Sequence, residues 1–453
     1  MGTFLSVIPP VLTIVLALWS KNIIISLFAG IVLGSFIING PTNFIPPIVD
    51  EYMTNGFKSN TNVLICMILI GIMLEFVKRS GGFKAFAEWC QKKVNTPKQT
   101  LVYTFWFSML FSIATNLGSL TIPRVMKVPT IQNKMNHVKV PMICTSVINA
   151  MSSMLPITNY ILFFSGLIVA AVPDKGFDGY TIFVQAIPFQ FFAIVSVLTA
   201  GLYAYGLIPE VGVLKKTPAD ESSPEAIEQA RKEAMETLGG DDIVSDIYGL
   251  VIPFGCLILA IPLFSLLAGK LVVTVGIFIG TVVSVIYAIA KGRVKFGESM
   301  GAFAAGFRQV AMVFLILLFA FTFGQVVGAL GFSTYVISLL GNSFSGNLIP
   351  MIAFIVCCLI SYPTGSLSAS AVIVFPLAVP LALASGVSIP LTVGAIISGS
   401  HFGDLFSPVS DSVILPSSAM GVDPVETSKA LVPYRLVQFV LVCAMFLIAG
   451  IIL

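Results

Sequence analysis

Gly118-Ser119-Leu120 followed by Pro156-Ile157-Thr158-Asn159, and later Gly365-Ser366-Leu367 followed by Pro408-Val409-Ser410-Asp411: one phrase is written twice in this chain. Each copy is a cluster of small and polar residues inside strongly apolar sequence. At membrane depth an interrupted backbone and an unsatisfied polar group are costly, so two matched interruptions predict a built site formed by discontinuous helices.

The composition agrees with membrane surroundings. Of 453 residues, 57% are hydrophobic and 10% are charged. A soluble domain carries about 25% charged residues. Apolar runs long enough to cross a hydrocarbon layer of about 30 Å recur throughout. The fold class is therefore an all-α polytopic membrane protein; a β-barrel would show short alternating segments instead. Phe4 to Leu18 has no basic residue before it and Lys21 after it, the reverse of a cleaved leader, and reads as a membrane helix. The net charge of +3 implies no nucleic-acid partner, and the seven cysteines are scattered without metal-ligand spacing.

Ten apolar helices are expected near 4–20, 22–38, 61–78, 139–172, 181–208, 246–268, 271–291, 306–330, 387–420 and 430–453. Segments 99–136 and 347–386 each hold two shorter arms, with polar bends at Thr115 to Thr121 and Pro363 to Ser368. The arm Gln99 to Ala114 is about 24 Å long at 1.5 Å per residue, short of the hydrocarbon thickness. This favours two re-entrant hairpins over four full spans. Placing Lys21, the 78–98 loop, the 124–139 stretch, the 209–245 connector and the 291–308 loop on one side gathers all but a few of the 24 Lys and Arg there. Lys58, Lys175 and Lys270 fall opposite. By the positive-inside rule the basic side is cytoplasmic and both termini lie outside.

The chain then divides into two inverted-topology repeats, 1–208 and 246–453, joined by a cytoplasmic connector, 209–245. The first repeat carries hairpin 99–136 and broken helix 139–172; the second carries hairpin 347–386 and broken helix 387–420. Within the connector, Ala219 to Leu238 reads as an amphiphilic helix, with Glu228 and Lys232 one turn apart. Its solvated composition points to a plain linker.

Proline lacks an amide donor and clashes with the preceding turn, so a break at Pro156 or Pro408 exposes carbonyls and amides in mid-membrane. A dehydrated cation satisfies carbonyls, and half-helix N-termini favour anionic groups. Asp404 and Asp411 are the acidic residues well inside a span of the second half, and the break allows both to converge on one ion. Carboxylate, hydroxyl and carbonyl oxygens suit a hard cation such as Na+. Protonation cancels the charge that holds the cation, so H+ competes with it. The expected Na+ ligands are Asp404, Ser407, Ser410, Asp411, Ser366 and Thr364, with Thr115, Ser119 and Thr158 as their counterparts in the first half. Asn116 and Asn159 join Asp404, Asp411 and His401 as expected contacts of solute or proton. His401 could carry a proton or serve as a strut. Glu75 reads as a local ion pair with Lys78 or Arg79. Na+ and H+ are the expected coupling ions, and no organic cofactor is expected. His401 and Asp404 share a helical spacing, but no nucleophile-base set accompanies them, so an enzyme is a remote reading.

These residues carry a resemblance. Ser398-Gly399-Ser400-His401-Phe402-Gly403-Asp404-Leu405-Phe406-Ser407-Pro408-Val409-Ser410-Asp411-Ser412 resembles the signature of the NhaC-type sodium/proton antiporter family, within the ion-transporter superfamily. Looser matches are Ala114-Thr115-Asn116, Gln132-Asn133-Lys134 and Leu155-Pro156-Ile157-Thr158, and the likeness runs from about residue 60 to 430. It implies a secondary active transporter in a bacterial plasma or inner membrane, with Na+/H+ antiport as its activity. It also implies that hairpin tips and breaks form a transport domain moving like an elevator against a scaffold. Such scaffolds often dimerise. The expected partners are membrane lipids, a small ion or solute, and a second copy of the chain. One departure bears on the cargo: the first hairpin has no acidic residue, and Thr145 stands where the family pattern places an Asp. One acidic and one neutral half suit an alternative, the Na+- or H+-coupled movement of an amino acid or small organic acid.

Overall fold

Backbone amides and carbonyls surrounded by apolar side chains must satisfy one another, and helices do this within one segment. Every regular element among the described residues is accordingly helical. The computed structural model describes residues 3–20, 22–59, 61–91, 94, 96–156, 158–172, 178–215, 224–237, 243–268, 273–332, 335 and 346–453.

Helices α1 (Ile8–Ser20) and α2 (Ile23–Asn39) lead through a short helical stretch, 45–59, to α3 (Thr61–Arg79) and α4 (Gly82–Gln91). A helical pair, α5 (Pro97–Phe111) and α6 (Thr115–Gln132), is followed by α7 (Lys139–Met154) and α8 (Asn159–Ala171), bent by 55° at their break. Then come α9 (Gly179–Ala186), α10 (Phe191–Ala204) and the connector helix α11 (Pro224–Thr237). The second half comprises α12 (Tyr248–Ala268), α13 (Val273–Ala290) and α14 (Ser299–Leu330). It continues with the pair α15 (Ile349–Thr364) and α16 (Leu367–Ala384), the interrupted α17 (Ile389–Asp404) and α18 (Asp411–Met420), and α19 (Pro424–Ile452).

The helices follow the apolar runs, except that the run 181–208 holds two helices, α9 and α10, bent by 48° where they meet. Among the described residues, four are long and apolar enough to cross a membrane, or six when each of two bent pairs is taken as one span. Lys21, Lys175 and Lys270, used to orient the chain, lie outside the described residues. One further detail differs from expectation. The first hairpin bends at Ser112–Ala114, so Gly118-Ser119-Leu120 lies in the opening turns of the second arm rather than at the tip. In the second hairpin the bend is where the sequence places it: Gly365 adopts a left-handed conformation (φ +60°), and Ser366 caps α16 by accepting from the Ala369 amide at 3.2 Å.

Packing is crosswise. Helix α2 packs on α14, α13 on α3, and α3 and α14 on each other. Helix α8 lies on α16, while α18 lies on α6, so the second part of each broken helix rests on the hairpin of the other half. The closest partnership is α15 with α17. Glycine makes it possible: a Cβ at Gly403 would overlap the Ser361 side chain and backbone, and one at Gly399 would strike the Phe354 carbonyl. Ser361 fastens the crossing by donating to the Gly399 carbonyl at 2.9 Å and accepting from the Gly403 amide at 3.1 Å. Gly403→Ala should therefore push α15 off α17, costing about 1–3 kcal/mol as overpacked cores do. A lowered melting temperature of the purified protein would register it, and an unchanged one would refute the tight crossing.

The connector is more than a plain strap. Ile227 and Ala230 of α11 pack against Val128 and Ile131 of α6, and Glu233 sits 2.7 Å from the Lys127 ammonium. The Lys127 hydrogen bond holds the Glu233 carboxyl below its ordinary value of 4.5. A depressed carboxylate contributes above its ordinary value and stops contributing as the pH falls through the depressed one. The pair is thus intact at neutral pH and released only in acid. Lys127→Ala should speed tryptic cleavage within α11 at pH 7 relative to the native protein; equal rates would show that the pair does not hold the helix.

Candidate functional site

The second break is built around one carboxylate. Helix α17 ends at Asp404, the chain crosses Leu405 to Ser410, and α18 begins at Asp411. Pro408 lies in this crossing. Ser410 caps α18, its hydroxyl accepting from the Ser412 amide at 3.1 Å. Asp404 is 6% exposed. Its Oδ1 accepts from the Ser410 hydroxyl at 2.9 Å, and its Oδ2 accepts from the Ser412 hydroxyl at 2.8 Å and the Asn149 amide at 3.4 Å. A buried charge needs such donors to persist. Asn149 Nδ2 also donates to the Ser412 hydroxyl, and Thr145 Oγ1 donates to the Ser412 carbonyl at 3.0 Å. The first broken helix is therefore tied to the second through two polar residues of α7.

A cavity of about 210 Å³ opens beside Asp404. The first half contributes Thr115 and Ser119 from the hairpin, with Asn149 and Asn159 from the two sides of the break. The second half contributes Ser366, Asp404, Asp411 and Ser412. Met67 of α3 and Gln309 and Val310 of α14 complete one wall. Six of the residues expected from the sequence, Thr115, Ser119, Asn159, Ser366, Asp404 and Asp411, thus meet in one space. Asp411 is exposed, at the start of α18, where a carboxylate complements the helix dipole.

Four proposed ligands do not line this space, and the reason is local. The Thr158 hydroxyl donates to the Ser152 carbonyl at 2.7 Å and the Thr364 hydroxyl to the Ile360 carbonyl at 2.7 Å. The Ser407 hydroxyl accepts from the Val409 amide at 3.4 Å, and that of Ser410 serves Asp404. Each stabilises backbone or carboxylate at a bend. His401 is fully buried with its ring 5.8 Å from that of Tyr160, and neither ring nitrogen has a hydrogen-bond partner among the described residues. The Asn116 side chain lies outside the described residues.

The model of the Na+/H+ antiporter family matches residues 151–451, from the first break to the last helix. The chain belongs to the Na+/H+ antiporter family. An uncharacterised protein of Haemophilus influenzae is 23% identical over 462 residues, 95% of this chain and 87% of that one. A malate-2H(+)/Na(+)-lactate antiporter of Bacillus subtilis is 38% identical over 65 residues, 14% of each chain. Two solved structures share the fold. The Alcanivorax borkumensis YdaH transporter has a TM-score of 0.65 at 13% identity, covering 90% of this chain and 88% of its own. Neisseria gonorrhoeae MtrF has a TM-score of 0.66 at 14% identity, covering 94% of both. Membership of this family and the transporter fold make the chain an integral membrane protein and a secondary transporter.

For this transporter, the sequence reading missed the residues that hold the site from behind. Asn149 is a lone amide within the buried α7, a signal that was legible but unexploited. Glu75 pairs with Arg79 at 2.7 Å as expected, yet also accepts from Gln309 of the cavity wall at 2.8 Å. Arg435 of α19 is fully buried. Its guanidinium donates to Ser196 at 2.8 Å, Gln438 at 2.7 Å, and Ser146 and the Leu405 carbonyl at 3.1 Å each, and lies over the Phe192 ring at 5.2 Å. Leu405 directly follows Asp404, so a cation sits at the carbonyl end of α17, where the helix dipole favours it. Arg435→Met should leave the Gln438 amide oxygen, the Ser146 hydroxyl and the Leu405 carbonyl without this donor, while Ser196 keeps its bond to the Ser146 carbonyl, at about 1–3 kcal/mol for each buried group so orphaned. A melting temperature no lower than that of the native protein would refute this role.

Proposed function

We propose that the chain is a Na+/H+ antiporter in which Asp404 carries Na+ and H+ alternately. The observation that carries this reading is the buried Asp404 carboxylate, hydrogen-bonded to Ser410, Ser412 and Asn149 at the edge of a cavity reached by both hairpins. Ionised, it is a hard oxygen ligand in a dry setting; protonated, it loses the charge that retains a cation. Asp411, at the open side, assists entry and exchange. Hydroxyls of Thr115, Ser119 and Ser366 and the amide of Asn159 replace part of the hydration shell, while Thr158, Thr364 and Ser407 hold the bends.

In this reading 1–208 and 246–453 are inverted repeats, the 209–245 connector is cytoplasmic and both termini lie outside. The crosswise packing of α2 on α14 and α13 on α3 supports it. So does the pairing of each broken helix with the opposite hairpin. Hairpins and broken helices travel together against a scaffold centred on α3 and α14, in an elevator-type motion, within a homodimer in a bacterial cell membrane.

Asp404→Asn should reduce Na+-driven proton movement in proteoliposomes, followed with an internal pH dye, to that of protein-free vesicles. Native-like flux in this variant would overturn the assignment. Because the ions compete, the Na+ concentration giving half-maximal rate should rise as the pH falls, toward about tenfold per pH unit once the carboxyl is mostly protonated. A value independent of pH would contradict competition.

A further inference from the structure

We propose that the cavity beside Asp404 takes a small zwitterion, a solute of amino-acid size carrying one ammonium and one carboxylate. This rests on the reading of the cavity as the translocation site, and it names a cargo class beyond the coupling ions. The cavity measures about 210 Å³. In the same measure a single water needs roughly 10–15 Å³, so the cavity far exceeds what a dehydrated cation requires.

The wall has an accepting pole. Asp404 and Asp411 both face the cavity, as does Asn149. The Asn149 amide nitrogen is committed to Asp404 and Ser412, and its Oδ1 is buried without a hydrogen-bond partner among the described residues. Rotating the amide would set its oxygen against the Asp404 carboxylate, so this orientation is the favourable one. Asn149 is only 8% exposed. An orphaned buried acceptor beside two carboxylates fits an N–H-rich cation.

The wall also has a donating pole. Leu367 and Ser368 in the first turn of α16, and Asn159 and Tyr160 in the first turn of α8, line the same space. First-turn amides have no acceptor within their own helix and carry the positive end of its dipole. At α8 the cap residue does not satisfy them, because the Thr158 hydroxyl turns to the Ser152 carbonyl. Two such helix ends fit a carboxylate.

No Lys, Arg or His stands among the described residues of the cavity wall. A carboxylate bearing no cation of its own would meet Asp404 and Asp411 uncompensated. A bare amine would leave both helix ends unmatched. A zwitterion satisfies both poles, and Phe163, Val310 and Val313 offer its carbon frame an apolar side.

The test uses the full chain in lipid nanodiscs, with thermal melts in NaCl and in KCl. Leucine is compared with 3-methylbutylamine, which lacks the carboxylate, and with 4-methylpentanoate, which lacks the ammonium. Serine is compared with ethanolamine and 3-hydroxypropionate in the same way. The expected result is that at least one zwitterion stabilises the native protein at a concentration at least tenfold below that required of either partner compound. Asp404→Asn should weaken that zwitterion at least tenfold, and the milder Ser368→Ala should weaken it measurably while the protein still folds. Equal stabilisation by the matched amine or the matched acid would overturn the proposal, as would no response to any zwitterion. In the last case, persisting Na+-driven proton movement would leave the antiporter reading standing. Zwitterion binding without such movement would do the reverse.

Discussion

The Asp404 carboxylate and its three donors are the contact on which the rest of this structure depends. A charge buried at membrane depth is tolerated only when its oxygens are occupied, and here Ser410, Ser412 and Asn149 occupy them. Two of the donors come from beyond the break that interrupts its own helix. The third comes from the first half of the chain. The carboxylate therefore needs the break, because a continuous helix would carry Ser410 and Ser412 away along the axis. It needs the other half as well, because without Asn149 one donor is lost. The broken geometry and the association of the halves share one electrostatic requirement.

Close packing holds this contact at a defined place. Gly399 and Gly403 let α17 approach α15 until Ser361 can bridge the two backbones, which fixes the residue immediately before Asp404. Arg435 grips the carbonyl immediately after it. Asp404 is thus held on both sides along the chain, by a hydroxyl from the second hairpin and by a guanidinium from α19. In the proposed reading, these two ties keep the charge in position while solute comes and goes.

Much of the architecture was legible because it follows from local chemistry. Apolar run lengths locate the helices, and Pro408 with its polar neighbours locates the second break. The polar bend around Gly365 locates the tip of the second hairpin. The first hairpin was less legible: Gly118-Ser119-Leu120 marks the repeat, yet the chain turns at Ser112–Ala114, where no glycine or proline signals it. The docking of the connector was hard to read for a related reason. Its composition is that of a solvated helix, and only the apolar pair Ile227 and Ala230, meeting Val128 and Ile131, shows that one face is docked.

By itself, the sequence determined an all-helical membrane protein with two polar interruptions and a charge at the second, since run length, proline and residue type are properties of a single segment. Only the tertiary structure decided which oxygens face the cavity. Thr158 and Thr364 looked equivalent to Thr115, but their hydroxyls return to carbonyls of their own segments. Asn149 looked like an ordinary residue of a buried helix and proved to be a donor to Asp404. Rotation of each helix about its axis, and the partner it meets from hundreds of residues away, set these outcomes, and neither is encoded in a local pattern.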